Sequence, residues 1–279
     1  MKKKKFRYLI FSTIILSAII AAFTSCQKEL MVPMTSDNTA VVEAYLVAGD
    51  TSGYVYVSKI LPFSDDTVNI KEMISGLKVY INDELLTEVD SGIYCCKPGS
   101  EGFITGNTYN LSFEYGGNTV TSSTIIPVKP TGFASTASIV YATRITEDDS
   151  TFHPGPGSMM DEVELTWNND DLAYHYLMVE YLEDSADYIN ARLADTEFPF
   201  NQATSPTQET YFKIGMQKLR YFGSYRIVLL RVNTEFDDAF TRNGTNSNNL
   251  VNPNTNITNG FGLFTGVSSD TVYLEVLPK

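Results

Sequence analysis

The sequence predicts a mainly β protein of two immunoglobulin/fibronectin-like antiparallel sandwich units, the second with short helical insertions. Three observations predict it. Apolar and polar residues alternate with period two in short runs from Ala40 to the C-terminus, the pattern of strands buried on one face. Polar or glycine-containing turns separate these runs at short intervals, as in sandwiches. A composition of 43% hydrophobic and 12% aromatic residues supplies a core and excludes a disordered tail.

The strands follow in order. Val42, Ala44 and Leu46 turn one way, Glu43 and Tyr45 the other, and Val55 and Val57 repeat this after a turn at 49–53. Leu77, Val79 and Ile81 alternate with Lys78 and Tyr80, and Asn82-Asp83 predicts a hairpin turn. Ile93 and Cys95 oppose Tyr94 and Cys96. Tyr109, Leu111, Phe113 and Tyr115 alternate with Asn110, Ser112 and Glu114, and Gly116-Gly117 turns the chain into a strand over 119–126. Tyr109 stands near the start of its strand, where a tyrosine hydroxyl can tie a sandwich strand back to nearby backbone. Pro127, Pro130 and Gly132 break the pattern, so a boundary is expected at 127–136, between an N-terminal sandwich (39–130) and a C-terminal unit (131–279). The second unit opens with Val163-Glu164-Leu165-Thr166-Trp167, whose tryptophan reads as core, and has its strongest strands at 174–182 and 225–232. Short helices are expected at 185–195 and 235–241. In the second, Thr234 and Asp237 have capping-box spacing and Phe236 and Phe240 lie one turn apart. Residues 147–157, acidic then rich in Pro and Gly, and residues 241–260, with eight Asn, read as exposed loops. The last strand is expected at 271–276.

Ahead of the sandwiches stands an address. Lys2, Lys3, Lys4, Lys5 and Arg7 precede a 16-residue apolar run (8–23), then Thr24, Ser25 and Cys26. The run is short for a helix crossing a core of about 30 Å. Together these features read as a bacterial lipoprotein signal peptide (1–25), with Cys26 as the lipidated residue and new N-terminus and 26–38 as a tether. Phe23 stands where a lipobox normally has an aliphatic residue. Gln27-Lys28-Glu29 resembles the short polar export tag that carries lipoproteins to the cell surface. The expected location is therefore the outer membrane, lipid-anchored and surface-exposed.

Charge narrows the partners. Five of the 20 basic residues lie in the signal segment, so the remaining 15 face all 33 acids, a formal charge of −18. Such a body offers no basic face for nucleic acid and is not drawn to anionic lipid.

The motifs of common catalysis are absent: no phosphate-binding Gly loop with Lys, no His-Glu-x-x-His, no Cys-x-x-Cys, no Gly-x-Ser-x-Gly. His175 shares a strand face with Ala173 and Leu177 and reads as structural; His153 sits in the Pro/Gly loop. Cys95 and Cys96 are adjacent in a strand, so they are either one buried and one partly exposed thiol or a strained vicinal disulfide. The acid pairs Asp65-Asp66, Asp148-Asp149, Asp161-Glu162, Asp170-Asp171 and Asp237-Asp238 match neither a calcium loop nor a defined hydrolase pair, and read as solvated turns. No catalytic, cofactor-binding or metal-binding residue is assigned.

A resemblance covers most of the chain. Ala40-Val41-Val42-Glu43-Ala44-Tyr45-Leu46, then Pro62-Phe63, Ile74-Ser75-Gly76-Leu77-Lys78-Val79-Tyr80, Gly92-Ile93-Tyr94, Thr121-Ser122-Ser123-Thr124-Ile125-Ile126-Pro127 and Asn259-Gly260-Phe261-Gly262-Leu263-Phe264 follow a lipoprotein signal. In this order they resemble a domain-of-unknown-function family of Bacteroidota outer-membrane lipoproteins, commonly encoded beside TonB-dependent receptors. The resemblance implies a non-enzymatic accessory that helps such a receptor capture or take up an unidentified ligand. The alternative is a structural or adhesive surface module, pilus-like or matrix-binding.

Overall fold

The computed structural model describes residues 39–60, 71–146, 162–194, 201–215, 218–242 and 254–279. The signal segment, Cys26 and the residues 27–29 lie outside them. The strands are β1 (Ala40–Val47), β2 (Gly53–Lys59), β3 (Tyr80–Ile81), β4 (Glu84–Leu85), β5 (Thr87–Asp90), β6 (Ile93–Cys96), β7 (Thr108–Tyr115), β8 (Asn118–Ile125), β9 (Thr131–Ser135), β10 (Ile139–Ala142), β11 (Val163–Asn168), β12 (Tyr174–Tyr181), β13 (Asn201–Ala203), β14 (Tyr211–Ile214), β15 (Gly223–Val232) and β16 (Gly260–Pro278). One α-helix, α1 (Thr234–Arg242), is present among the described residues. No described helix is long and apolar enough to cross a membrane.

Period-two patterning decides which side chains are buried. In β1, Val42, Ala44 and Leu46 are buried and Tyr45 is exposed; in β7, Tyr109, Leu111 and Phe113 are buried. The Asn82-Asp83 turn has both residues at positive φ (48° and 65°), the geometry of a type I′ hairpin. Tyr109 ties back as its position suggests: its hydroxyl accepts the Ile104 N–H at 3.0 Å.

Two sandwiches result. The first packs β1, β2, β6 and β5 against the sheet β4-β3-β7-β8, around Val42, Ala44, Leu46, Val55, Val57, Tyr94, Leu111 and Phe113. The second packs β12, β15, β10 and the end of β16 against β14-β11-β9, around Leu165, Trp167, Leu177, Ile227, Leu229 and Val276. On its first pass the chain moves from one core to the other through residues 127–136, yet residues 36–279 form one compact unit. The link is β16. Its first half pairs with β1 in parallel, from Ala40↔Gly260 to Val47↔Val267. Its second half pairs with β15, from Val232↔Val267 to Gly223↔Val276, and with β10 in parallel. One strand thus closes both sandwiches within a nine-stranded sheet.

Three sequence expectations are corrected here. The last strand begins at Gly260, not Thr271. Its glycines disguise it, but they are what the crossing requires. Gly262 has φ +106°, and a Cβ there would lie 1.9 Å from the Val42 carbonyl oxygen. The expected helix at 185–195 is a single 3₁₀ turn, Ala191–Leu193, among the described residues. Its backbone is taken by tertiary pairing: Tyr188 bridges Tyr221, Asn190 bridges Ile145, and the Ile189 N–H donates to the Arg220 carbonyl at 2.9 Å. The expected exposed loop 241–260 is partly something else. Helix α1 runs to Arg242, residues 243–253 lie outside the described residues, and in 254–259 Ile257 is buried and Asn254 and Asn256 are half-buried while Thr255, Thr258 and Asn259 are exposed.

Candidate functional site

The cleft between the two sandwiches is built from strand ends. The outer face of β7 and β8 gives Thr108, Ser123 and Ile125. The turn before β12 gives Asp171, Leu172, Ala173 and Tyr174, and the passage from β15 into α1 gives Arg231 to Glu235; the cleft encloses about 640 Å³. Leu172 stands at φ +54° and is largely exposed, so the turn holds an apolar side chain toward the opening.

A buried polar knot forms the floor. The Thr124 hydroxyl donates to Glu235 Oε1 at 2.8 Å and accepts the Gly266 N–H at 2.9 Å. The Thr265 hydroxyl also donates to Glu235 Oε1, at 3.1 Å. Asn233 Nδ2 donates to the Ile125 carbonyl at 2.9 Å and to Thr124 Oγ1 at 3.0 Å. Thr124 and Thr265 are buried, so these bonds act where an unpaired group would cost about 1–3 kcal/mol. The knot joins β8 of the first sandwich to the β15–α1 corner of the second. It also resets the helix start. The first helical bond runs from the Asp237 N–H to the Asn233 carbonyl, so Asn233, not Thr234, is the N-cap residue.

The chemistry of the walls is hydrogen bonding. Thr108, Ser123, Gln208 and Thr234 offer neutral groups, and the one cation of the lining, Arg231, is ion-paired with Asp171. Tyr174 faces Asp237, whose charge holds the phenol above its ordinary pKa. The lining's Thr124 hydroxyl and Glu235 carboxylate are bonded to each other within the knot.

The sequence-selected residues go elsewhere. His175 is fully buried in the second core, its Nδ1 3.2 Å from the Ala173 carbonyl and its ring 5.7 Å from that of Trp167. Burial lowers its pKa to about 4. His175 Nε2 and Trp167 Nε1 are both buried without a partner. Trp167 also meets Phe133 edge-on, as a core tryptophan. His153, the Gly155–Ser158 segment and the loop 147–157 lie outside the described residues. Cys95 and Cys96 are free thiols, and both are buried rather than one being partly exposed. Burial, with the charges of Glu84 and Cys95, pushes the Cys96 thiol up to about 11. Asp171 pairs with Arg231, and Glu162 with Lys213 at 3.3 Å. Among the described residues no three His, Cys, Asp or Glu side chains stand together as a metal site.

The knot is not legible in the sequence because Thr124, the Asn233–Glu235 corner and Thr265 are far apart in the chain and none carries a motif. The signal was present only as the ordered segments 121–127 and 259–264, which the fold brings side by side.

Residues 28–272 match the family described as a domain of unknown function, DUF4249. The chain belongs to the DUF4249 family. No curated protein matches it. Among solved structures, it is similar to the central fibronectin-III array of RIM-binding protein, with 10% identity and a TM-score of 0.22 over 88% of this chain and 71% of that one. In this DUF4249 chain, the matched span holds the first sandwich, the cleft, the knot and the second sandwich except the end of β16 beyond residue 272.

Proposed function

We propose that this DUF4249 protein is a non-enzymatic lipoprotein of the outer-membrane surface, an accessory to a TonB-dependent receptor in ligand capture or uptake. The observation that carries the reading is the order of features around Cys26. A basic, apolar and small-residue signal ends at that cysteine, and the polar residues Gln27, Lys28 and Glu29 follow. The first strand starts at Ala40. At no more than about 3.5 Å per residue, the intervening tether reaches roughly 45 Å, so an anchored body works close to the membrane and to any barrel in it.

The cleft supports a binding role, since its walls offer neutral hydrogen-bonding groups and an exposed leucine. Of the segments 147–157 and 241–260 that the sequence reads as polar loops, 147–157 and 243–253 are assigned to contact with receptor or ligand. The test is a crosslinking pull-down of the full-length protein from native outer membrane, beside its Cys26→Ala variant. The reading expects a lipidated Cys26 at the mature N-terminus, a co-purifying receptor, and loss of both in the variant. An unmodified Cys26 in an uncleaved chain would overturn the anchor. Loss of adhesion without loss of uptake on gene deletion would replace the accessory role with the adhesive one.

A further inference from the structure

Most strand edges among the described residues are guarded; β10 is not. The outer edge of β8 is covered: Asn259 Nδ2 donates to the Thr119 carbonyl at 2.9 Å, Thr121 and Thr258 exchange main-chain bonds, and Asn233 Nδ2 takes the Ile125 carbonyl. Strand β5 carries Glu88 and Asp90, β14 carries Lys213, and β13 has three residues. These are the usual devices that keep one sheet from adding to another. Strand β10 reads Ile139-Val140-Tyr141-Ala142, without charge, proline or glycine. It pairs with β16 on one side, and among the described residues no strand pairs with its other side.

The free side is set up for pairing. The Glu275 N–H donates to the Ser138 carbonyl at 2.9 Å and the Lys279 N–H to the Ala142 carbonyl at 3.0 Å. In a parallel ladder alternate residues face the neighbour, so the main-chain groups of Ile139 and Tyr141 point to the open edge. Val140 and Ala142 turn their side chains into the second core. Ile139 (46% exposed) and Tyr141 (51%) turn theirs to the outer face, where Tyr273 (63%) continues the patch on β16.

We propose that β10 is a self-pairing edge. Two copies of the chain join β10 to β10, antiparallel, about a two-fold axis at Val140, and fuse their nine-stranded sheets. Ile139 of one copy then stands opposite Tyr141 of the other, and each such pair exchanges both N–H···O bonds. Both side chains of each pair lie on the outer face, so the exposed patches of the two copies merge. A second copy is the occupant that fits because the strand is symmetric about Val140: on either side is one residue with free main-chain groups and an exposed apolar side chain. A closed two-fold also leaves no further β10 edge, so assembly stops at the dimer. The formal charge of −18 does not forbid it. Screening reaches about 8 Å at physiological salt, and β10 itself carries no acid; Glu275, beside Ile139 in register, is one strand back. A contact this small falls below standard interface size, which predicts a weak, concentration-dependent dimer.

The test uses the full-length chain in detergent, under mild oxidation. The double variant Ile139→Cys/Tyr141→Cys should form disulfide-linked dimers at least tenfold faster than wild type, either single variant, or Ser123→Cys at the exposed cleft wall. Wild type controls for the native thiols. Ile139→Lys/Tyr141→Lys, which touches no buried side chain, should sediment as monomer at concentrations where wild type dimerises, with unchanged circular dichroism and melting temperature. Crosslinking of the double-cysteine variant no faster than the controls would overturn the proposal. So would self-association that survives the lysine pair. A chain that stays monomeric while the same cysteines capture a foreign strand would replace the second copy with another protein.

Discussion

The buried imidazole of His175 makes stability depend on pH in a calculable way. Its side chain is 0% exposed, Nδ1 faces a carbonyl, which only accepts, so the proton sits there and Nε2 is left without a partner. Burial holds its pKa at about 4, against 6.5 for the free side chain. The sign follows from which state takes the proton. Above pH 6.5 neither state is protonated and stability is full. Between 6.5 and about 4 the unfolded chain binds a proton that the folded chain refuses, so stability falls by about 1.4 kcal/mol per pH unit. Over that window the loss approaches about 3 kcal/mol, a large part of a typical 5–15 kcal/mol. The assay is urea unfolding from pH 7.5 to 4.5 for wild type and His175→Gln, each in a His153→Ala background. Carboxylates titrate in both chains, so the difference between their slopes isolates His175. The glutamine variant should start less stable and lose less on acidification. Equal slopes, or an NMR titration of His175 near 6.5, would refute the reasoning.

Two further outcomes follow from β16. Gly262→Ala places a Cβ 1.9 Å from the Val42 oxygen at φ +106°. The left-handed backbone alone costs about 1–2 kcal/mol, and the clash must separate β1 from β16, so thermal melting should show a larger loss than at an open glycine such as Gly117. In Asn256→Ala, Phe264 loses both main-chain partners, the Nδ2 donor to its carbonyl at 2.6 Å and the Oδ1 acceptor of its N–H at 3.0 Å. At about 1–3 kcal/mol per unpaired group, chemical denaturation should register a loss of about 2–6 kcal/mol, and hydrogen exchange at Phe264 should speed up.

The bonds of Asn256 to Phe264 also set where the polar segment can be shortened to test it as a contact loop. A deletion through Asn256 would remove the side chain that pairs with Phe264 and damage β16 itself. A deletion confined to 244–253 leaves Asn254, Thr255 and Asn256 on their partners in α1 and β16.

Much of the fold is legible in the sequence because burial on one strand face forces period-two alternation, which needs no knowledge of the partner. Val42, Ala44 and Leu46, or Tyr109, Leu111 and Phe113, announce their inward face, and Asn82-Asp83 announces its turn. The resemblance to a domain-of-unknown-function family is equally a property of the linear order. What tertiary structure alone decided is which strand meets which. Gly260, Gly262 and Gly266 weaken a strand locally and hide the first half of β16; only the approach of Ala40, Val42 and Ile125 backbone shows why no side chain fits there. Residues 185–195 look helical in isolation, but Ile145, Arg220 and Tyr221 claim their main-chain groups. Thr124, Asn233, Glu235 and Thr265 are ordinary polar residues until the fold buries them together, because a hydrogen-bond network is a statement about distances in space, which one-dimensional patterning does not encode.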